Sequence, residues 1–229
     1  IIDTIGQLDQ QIATTFVPAG CADGNGGEFK NKDYYGTDYD ANVAEAKDLL
    51  ASIGLWDKDA DALTQTVAFT YLTNNTAGNV KIAEAFQADM ATVGIDVTIE
   101  QQEWTVFLNT RKNGDFDIAR EGWLMDYNDP VNMLEMWTTD SGNNDCQFGR
   151  DKSKALDWDK YDNMIKEIRT ESDFAKRAEL MHEAEDYLMA TECVVPIYYY
   201  DDPYMVKSNV TGIYGTVEGM KYFYKAAKN

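Results

Sequence analysis

The sequence predicts an α/β fold in which an open, mixed but mainly parallel sheet is flanked by helices. Between residues 66 and 122, three segments rich in β-branched and aromatic residues alternate with two amphipathic segments of helical period. The chain has 229 residues, of which 44% are hydrophobic, so it can bury one large core or two small ones. These observations define the fold class without defining a function.

The chain is predicted to have three parts. Residues 1–40 are expected to be an irregular lead-in, because Gly, Asn and Asp are frequent there and no hydrophobic period is present. Residues 41–192 are expected to form an α/β ligand-binding lobe, and residues 193–229 a strand and a tail. Asp40 is the expected N-cap of the first helix, which should end at Gly54.

The middle of the chain is predicted to be a repeated strand and helix pattern. A helix between the first two strands should be capped by residues 74–76 and end at Gly94. The predicted strands are parallel, with right-handed crossovers between them. The three predicted strands are Thr66–Leu72, Ile95–Gln101 and Phe116–Gly122. A short helix, Trp104–Arg111, is predicted before the third strand.

The second half of the chain is predicted to be mainly helical. A short apolar helix over 131–137 precedes a polar loop over 138–154. One longer helix should run from Leu156 to Ile168, and another from a Ser172 cap to Leu188. A strand over 194–200 should lie at a sheet edge or a strand start, because Pro196 cannot donate a backbone hydrogen bond.

Charge and composition exclude several classes of partner. Lys and Arg number 20 against 40 Asp and Glu, and the net charge of −20 would repel nucleic acid. The chain opens on Ile1 without an initiator Met or a leader, so we expect a mature piece or a fragment. Three scattered cysteines favour thiols, although a bridge between Cys21 and Cys146 is an alternative.

The sequence predicts no metal, no cofactor and no enzyme. The one histidine, His182, has no second histidine at zinc-helix spacing and is expected on a helix surface. Phosphate-loop, nucleophile-elbow and dinucleotide motifs are absent from the sequence. Asp126 and Asp129 could serve a carboxylate-dependent hydrolase, but Asp129 beside Pro130 fits a turn or cap better.

A cluster of chemically active residues lies where the second βα unit ends, the place where open α/β sheets bind ligands. Aromatic faces accept varied side chains, an arginine can hold a carboxylate and an aspartate can hold an ammonium group. Such a set suits a zwitterionic ligand of variable sequence. The alternative is that the tryptophans are core residues and that Arg120 pairs with Glu121 or Asp117. The candidate residues are Trp104, Arg111, Arg120, Trp123, Asp126 and Tyr127.

The stretches Gln102–Arg111 and Gly114–Pro130 closely resemble the oligopeptide-binding proteins of bacterial ABC importers, extracellular solute-binding protein family 5. The resemblance implies a non-catalytic protein in the periplasm or on the cell surface as a lipoprotein. Such proteins close two lobes over an oligopeptide and pass it to a membrane permease. The chain would be the carboxy-terminal portion, one lobe of a periplasmic-binding-protein type II fold, with residues 193–229 returning toward the missing amino-terminal lobe.

The resemblance also implies roles for individual residues. Asp126 is similar to the anchor of the peptide amino group, and Arg120 to a residue that meets the carboxylate of short peptides. Trp104 and Trp123 are similar to walls of side-chain pockets.

Two positions depart from the family pattern. Gly78 stands where a histidine is found, and Leu124 where a cysteine is found. The same scaffold could instead bind another solute, an oligosaccharide or a metal chelate.

Overall fold

The computed structural model describes residues 1–7, 10–150 and 157–229. These fall into two compact units. The first unit comprises Ile1–Gln7 and Tyr35–Glu121, and the second comprises Leu8–Tyr34 and Gly122–Asn229. The division does not coincide with the predicted segments 1–40, 41–192 and 193–229, which remain predictions about the organisation of the protein.

The first unit has α/β structure. A single π-helical turn, Ile2–Gly6, precedes its regular elements. The elements are, in chain order, α1 (Tyr39–Ser52), β1 (Trp56–Asp57), β2 (Ala62–Leu63), β3 (Ala68–Asn74), α2 (Ala77–Thr92), β4 (Asp96–Gln102), α3 (Trp104–Lys112) and β5 (Ile118–Ala119).

The sheet of the first unit confirms the predicted parallel pairing. Its strand order is β4-β3-β5, and β3 is parallel to both neighbours. The third strand is shorter than the predicted Phe116–Gly122. Just before it begins, the Asp117 carboxylate, and not a backbone carbonyl, accepts the Thr70 amide at 2.9 Å. The handedness of the crossovers stays a prediction.

The core of the first unit lies between α2 and the sheet. Tyr71 on β3, Val97 on β4 and Ala83 on α2 are buried together. Phe86 and Met90 follow Ala83 at intervals of three and four residues, so one face of α2 covers the strands.

Two helices begin at caps other than the predicted ones. Asp38, and not Asp40, caps α1 by accepting the Ala41 amide at 3.0 Å. Asp173, and not Ser172, caps the last helix. Its carboxylate accepts the amides of residues 175 and 176 at 3.0 and 3.2 Å, so it satisfies two donors of the first turn.

The second unit is mainly helical. The predicted strand over 194–200 is wrong as a regular strand: within the described part of the chain it makes one antiparallel bridge, between Tyr198 and Ile12. The predicted helix start at Leu156 lies outside the described residues. A 3-10 turn, Glu135–Trp137, follows the first helix of this unit. The elements are α4 (Val131–Leu134), α5 (Trp158–Thr170), α6 (Phe174–Met189), β6 (Val210–Thr211), β7 (Tyr214–Gly215), β8 (Lys221–Tyr222) and β9 (Ala227–Lys228).

Aromatic rings dominate the core of the second unit. Trp158 stacks on Phe148 with ring centroids 4.1 Å apart and on Tyr161 at 4.7 Å. The Trp158 indole donates to the Trp137 carbonyl, and the Tyr161 hydroxyl to the Leu134 carbonyl, each at 2.8 Å. These two bonds satisfy buried donors and fix α5 against the end of α4 and the 3-10 turn that follows it.

The three cysteines are free thiols in the structure, and the described helices do not meet the requirements of a membrane span. Cys21 is buried, Cys146 half-buried and Cys193 exposed, and the structure places all three outside any disulfide, as the sequence favours. No helix in the described part of the chain is long and apolar enough to cross a membrane.

His182 on α6 differs from its prediction as a surface residue. Its ring is half-buried and stacks on Phe29 with centroids 4.1 Å apart. Burial lowers the pKa of His182, although the carboxylates of Asp186 and Asp23 oppose that shift.

A buried carboxylate joins α6 to the start of the second unit. Glu185 is fully buried, and its Oε1 accepts the amides of Phe16 and Val17 at 3.0 and 2.8 Å. Its Oε2 has no hydrogen-bond partner among the described residues. Burial therefore raises the pKa of Glu185 above its ordinary value of 4.5, and the two amides oppose the shift without cancelling it.

The raised pKa makes stability depend on pH. Because the folded protein holds the Glu185 proton more tightly than the unfolded chain, this stabilisation is complete below pH 4.5 and is lost as the pH rises through the raised pKa. The amide of Glu185→Gln cannot ionise. The free energy of unfolding of this variant, relative to wild type, should therefore increase with pH above 4.5 in urea titrations.

Glu183→Gln on the same helix controls for the loss of one negative charge, since Glu183 is exposed. A difference between Glu185→Gln and wild type that stays constant between about pH 4 and pH 8 would contradict the prediction.

Candidate functional site

The six predicted site residues divide between the two units. Trp104, Arg111 and Arg120 belong to the first unit, whereas Trp123, Asp126 and Tyr127 belong to the second. Each set is held by contacts within its own unit.

In the first unit, α3 carries an exposed aromatic surface and a buried cation. Glu103 caps the helix by accepting the Thr105 amide at 2.8 Å, and Trp104 begins it with 46% of its surface exposed. The Trp104 ring rests beside Phe107, with ring centroids 5.7 Å apart. An exposed indole fixed in this way can offer its face to an apolar group.

Arg111 has partners within its own unit. Its side chain is 9% exposed, and its guanidinium lies 2.9 Å from the Glu121 carboxylate. It also donates to the Arg120 carbonyl at 3.1 Å. The sequence offered Glu121 or Asp117 as an internal partner of Arg120, and the structure pairs Glu121 with Arg111.

Arg120 follows directly after β5. Its backbone amide donates to the Leu72 carbonyl at 2.9 Å, which extends the pairing with β3 by one residue. The residue is half-buried. Arg120 is therefore fixed at the carboxyl end of the sheet by backbone contacts.

In the second unit, residues 123–129 form a turn before α4, called here the 123–129 turn. One buried side chain, Asn132, joins the start of this turn to its middle. The Asn132 Oδ1 accepts the Trp123 indole N–H at 3.1 Å and the Asp126 backbone amide at 2.9 Å. Met125 points into the core, while Asp126 is exposed and Leu124 is 64% exposed.

The Tyr127 hydroxyl is held by an anionic partner. It donates to Glu135 at 2.9 Å, and Glu135 in turn pairs with Arg169 at 2.6 Å. Burial of the hydroxyl, together with its hydrogen bond to Glu135, raises the pKa of Tyr127 from 10 to about 12. Tyr127 is therefore a neutral hydrogen-bonding group at physiological pH.

The far end of the 123–129 turn is fixed to α6. Asp129 is bound by both terminal nitrogens of Arg177, at 2.7 and 3.1 Å. The same carboxylate accepts the Val131 amide at 2.9 Å, so Asp129 is the expected turn residue, whereas Pro130 occupies the N-cap position of α4. Asn128 accepts the Ala22 amide at 2.8 Å.

Asp126 differs from Asp129 in that its carboxylate is not ion-paired within the described part of its unit. Within the second unit, no basic side chain of the described residues forms an ion pair with Asp126. Its backbone is fixed while its carboxylate faces solvent. An exposed carboxylate on a fixed backbone can bind an external cation without first breaking an internal pair.

Sequence reasoning missed Asn132, Glu135 and Arg177. Asn132 follows Pro130 by two residues, where an asparagine is easily taken for a helix-start residue. Arg177 lies 48 residues from Asp129, and a single sequence gives no signal for such a pair. The described residues contain no group of three or more side chains that could hold a metal ion.

Comparison with known proteins defines the class. Residues 1–145 match the model of the bacterial extracellular solute-binding proteins, family 5 middle region. The chain belongs to this family, which confirms the resemblance noted in the sequence.

Particular relatives are oligopeptide-binding proteins. The chain is 31% identical over 231 residues to the oligopeptide-binding protein OppA of Bacillus subtilis, covering 99% of this chain and 39% of that protein. It is 37% identical over 172 residues to the periplasmic oligopeptide-binding protein OppA of Salmonella typhimurium, covering 75% and 29%. The chain thus spans well under half the length of these relatives.

Solved structures confirm the predicted fold class. The structure of OppA from Burkholderia pseudomallei matches with a TM-score of 0.73 and 26% identity, over 92% of this chain and 38% of that one. The unliganded open form of the periplasmic murein tripeptide binding protein MppA matches with a TM-score of 0.74 and 25% identity, over the same shares. The α/β arrangement of this chain is therefore that of periplasmic peptide-binding proteins.

The contacts of Arg111 predict a loss of stability when it is replaced. Arg111→Met keeps the length of the side chain but leaves the Glu121 carboxylate and the Arg120 carbonyl without this donor. Losing the partner of a largely buried polar group costs about 1–3 kcal/mol. The free energy of unfolding, measured by urea titration, should fall by that amount.

Lys112→Met is the matched control, because it removes one positive charge from the next, exposed position of the same helix. Its effect should stay within about 0.5 kcal/mol. Equal losses in the two variants would show that the contacts of Arg111 add nothing to stability.

Proposed function

We propose that this chain is the ligand-binding portion of an extracytoplasmic solute-binding protein that captures oligopeptides for import by an ABC transporter. Membership of family 5 supports the general class, and the names of the OppA relatives support the ligand. The protein acts without catalysis and releases its peptide intact to a membrane permease. It resides in the periplasm or on the cell surface as a lipoprotein.

The exposed carboxylate of Asp126 is the observation that carries the peptide assignment. Every peptide with an unmodified amino terminus has an ammonium group, whatever its side chains. A carboxylate that is exposed, and not ion-paired with any described residue of its unit, is chemically suited to that group. The anchor can therefore be common to peptides of different sequence.

The remaining candidates take complementary roles in this proposal. Arg120 meets the carboxylate of short peptides, and Trp104 and Trp123 supply aromatic walls for side chains. Tyr127 contributes a hydrogen-bonding hydroxyl beside the amine anchor. Arg111 acts through its contact with Arg120.

Gly78 bears on peptide length. It lies in the first turn of α2, and a Cβ built there would meet nothing within 4 Å. The position therefore has room for a Cβ. The histidine of the family pattern is missing here, which removes one contact for the carboxylate of longer peptides.

A second lobe completes the site in the proposal. The chain spans 39% of the Bacillus subtilis relative, and the remainder of such a protein would supply the opposite wall of the cleft. Residues 193–229 would return toward that lobe. The complete protein, with both lobes, is the one in which ligand binding should be measured.

Replacing Asp126 tests the proposal. Losing one partner of a desolvated charge pair costs about 2–5 kcal/mol, or roughly 30- to 4,000-fold in affinity at about 1.4 kcal/mol per decade. Asp126→Asn in the complete protein should weaken the binding of mixed tri- to pentapeptides by that factor in calorimetry. Its unfolding temperature without ligand should not fall, because the carboxylate forms no ion pair with the residues of its unit that the structure describes.

N-acetylated versions of the same peptides test the contact from the ligand side. They should bind wild type poorly, and Asp126→Asn should discriminate little between the acetylated and the free-amine forms. Equal binding of both forms by wild type would rule out Asp126 as the amine anchor. Product formation from peptides or chromogenic glycosides, lost in Asp126→Asn, would instead indicate a hydrolase.

A further inference from the structure

We propose that Asn132 is a positioning residue for peptide binding, because its side-chain oxygen fixes the Asp126 backbone and the Trp123 indole in one arrangement. The inference rests on the proposed function and assigns a role to a residue outside the predicted site. Asn132 is 4% exposed, so it acts through Asp126 and Trp123 and not by touching the peptide.

The identity of the clamping atom follows from its partners. The Trp123 indole nitrogen and the Asp126 backbone nitrogen can only donate hydrogen bonds, so the atom that faces both must be the Asn132 Oδ1. An amide oxygen has two lone pairs, enough for both donors. One atom thus sets the spacing between an aromatic wall and the amine anchor.

Asn132 is itself held rigidly. Its backbone amide donates to the Asp129 carbonyl at 3.0 Å, and Arg177 binds the Asp129 carboxylate through two nitrogens. Its chain neighbours Val131 and Met133 are buried. The Asn132 clamp, by which we mean its Oδ1 with the Trp123 indole and the Asp126 amide, therefore lies on the packed start of α4. The position of the exposed carboxylate is fixed by that core.

The chemistry of the amide also suits an amine site. The Asn132 oxygen is buried and is used by the two donors of the turn, so the ligand ammonium meets the exposed carboxylate of Asp126. Ordering the anchor before the ligand arrives reduces the entropy that binding must supply.

Two variants of Asn132 separate the clamp from simple packing. Asn132→Leu keeps the branching of the side chain at Cγ but has no acceptor, whereas Asn132→Asp keeps an acceptor oxygen in the same place. In the complete protein, Asn132→Leu should weaken binding of free-amine tri- to pentapeptides about tenfold or more, because two donors lose their acceptor. Asn132→Asp should stay within about threefold of wild type.

A double-mutant cycle identifies the route of the effect. If Asn132 acts through Asp126, then Asn132→Leu in the Asp126→Asn background should change peptide affinity by less than about threefold. A general loss of packing would weaken binding by the same factor in both backgrounds. Competition between free-amine and N-acetylated peptides, quantified by mass spectrometry, should show Asn132→Leu losing its preference for the free amine.

Hydrogen exchange tests the clamp without any peptide. With ¹⁵N-labelled tryptophan and aspartate, and the indole resonance assigned by Trp123→Phe, the Trp123 indole and Asp126 amide protons should exchange slowly in wild type and in Asn132→Asp. Both should exchange about tenfold faster or more in Asn132→Leu, since each loses its acceptor.

The outcomes separate the two proposals. Unchanged exchange in Asn132→Leu, or unchanged free-amine binding in that variant while Asp126→Asn loses binding, would overturn the positioning role and leave the peptide assignment intact. Absence of peptide binding by wild type would overturn the proposed function, and with it the positioning role, whatever the exchange rates.

Discussion

The bidentate ion pair between Asp129 and Arg177 is the contact on which the candidate residues of the 123–129 turn depend. It joins the end of the 123–129 turn to α6, a helix whose other face is buried in the aromatic core. Arg177 also donates to the Ile168 carbonyl at the end of α5, so one guanidinium connects the turn with two helices. A short turn without regular structure is thereby tied to both helices.

Charge is used in two different ways in this molecule. Glu121 and Asp129 meet arginines whose side chains are 9% and 14% exposed, and those pairs belong to the structure. Removing one partner of such a pair leaves a poorly solvated charge, so these positions tolerate little change. Asp126 is exposed, and no arginine in the described part of its unit pairs with it in this way. Its charge remains available to a ligand, whereas its backbone shares the rigidity of the paired residues around it.

The fold could be predicted from the sequence where a local pattern was long and periodic. β3, α2 and β4 were recognisable for that reason, and their parallel pairing follows from chain connectivity. Caps were less predictable, since Asp38 competes with Asp40 and Ser172 with Asp173, and only geometry decides which oxygen reaches the free amides. Residue chemistry also identified Trp123 and Asp126 as candidates. Asn132 and Arg177 could not be found in that way, because their importance lies in partners that folding brings to them.

The most direct measurement is a crystal structure of the complete protein with a bound tripeptide that has a free amino terminus. The proposed function predicts the peptide's amino nitrogen at about 2.7–3.1 Å from an Asp126 carboxylate oxygen. The Asn132 oxygen should still accept both the Trp123 indole and the Asp126 amide. A peptide whose amino group is bound elsewhere, with Asp126 paired to a basic side chain of the protein, would contradict the assignment of Asp126 as the peptide anchor.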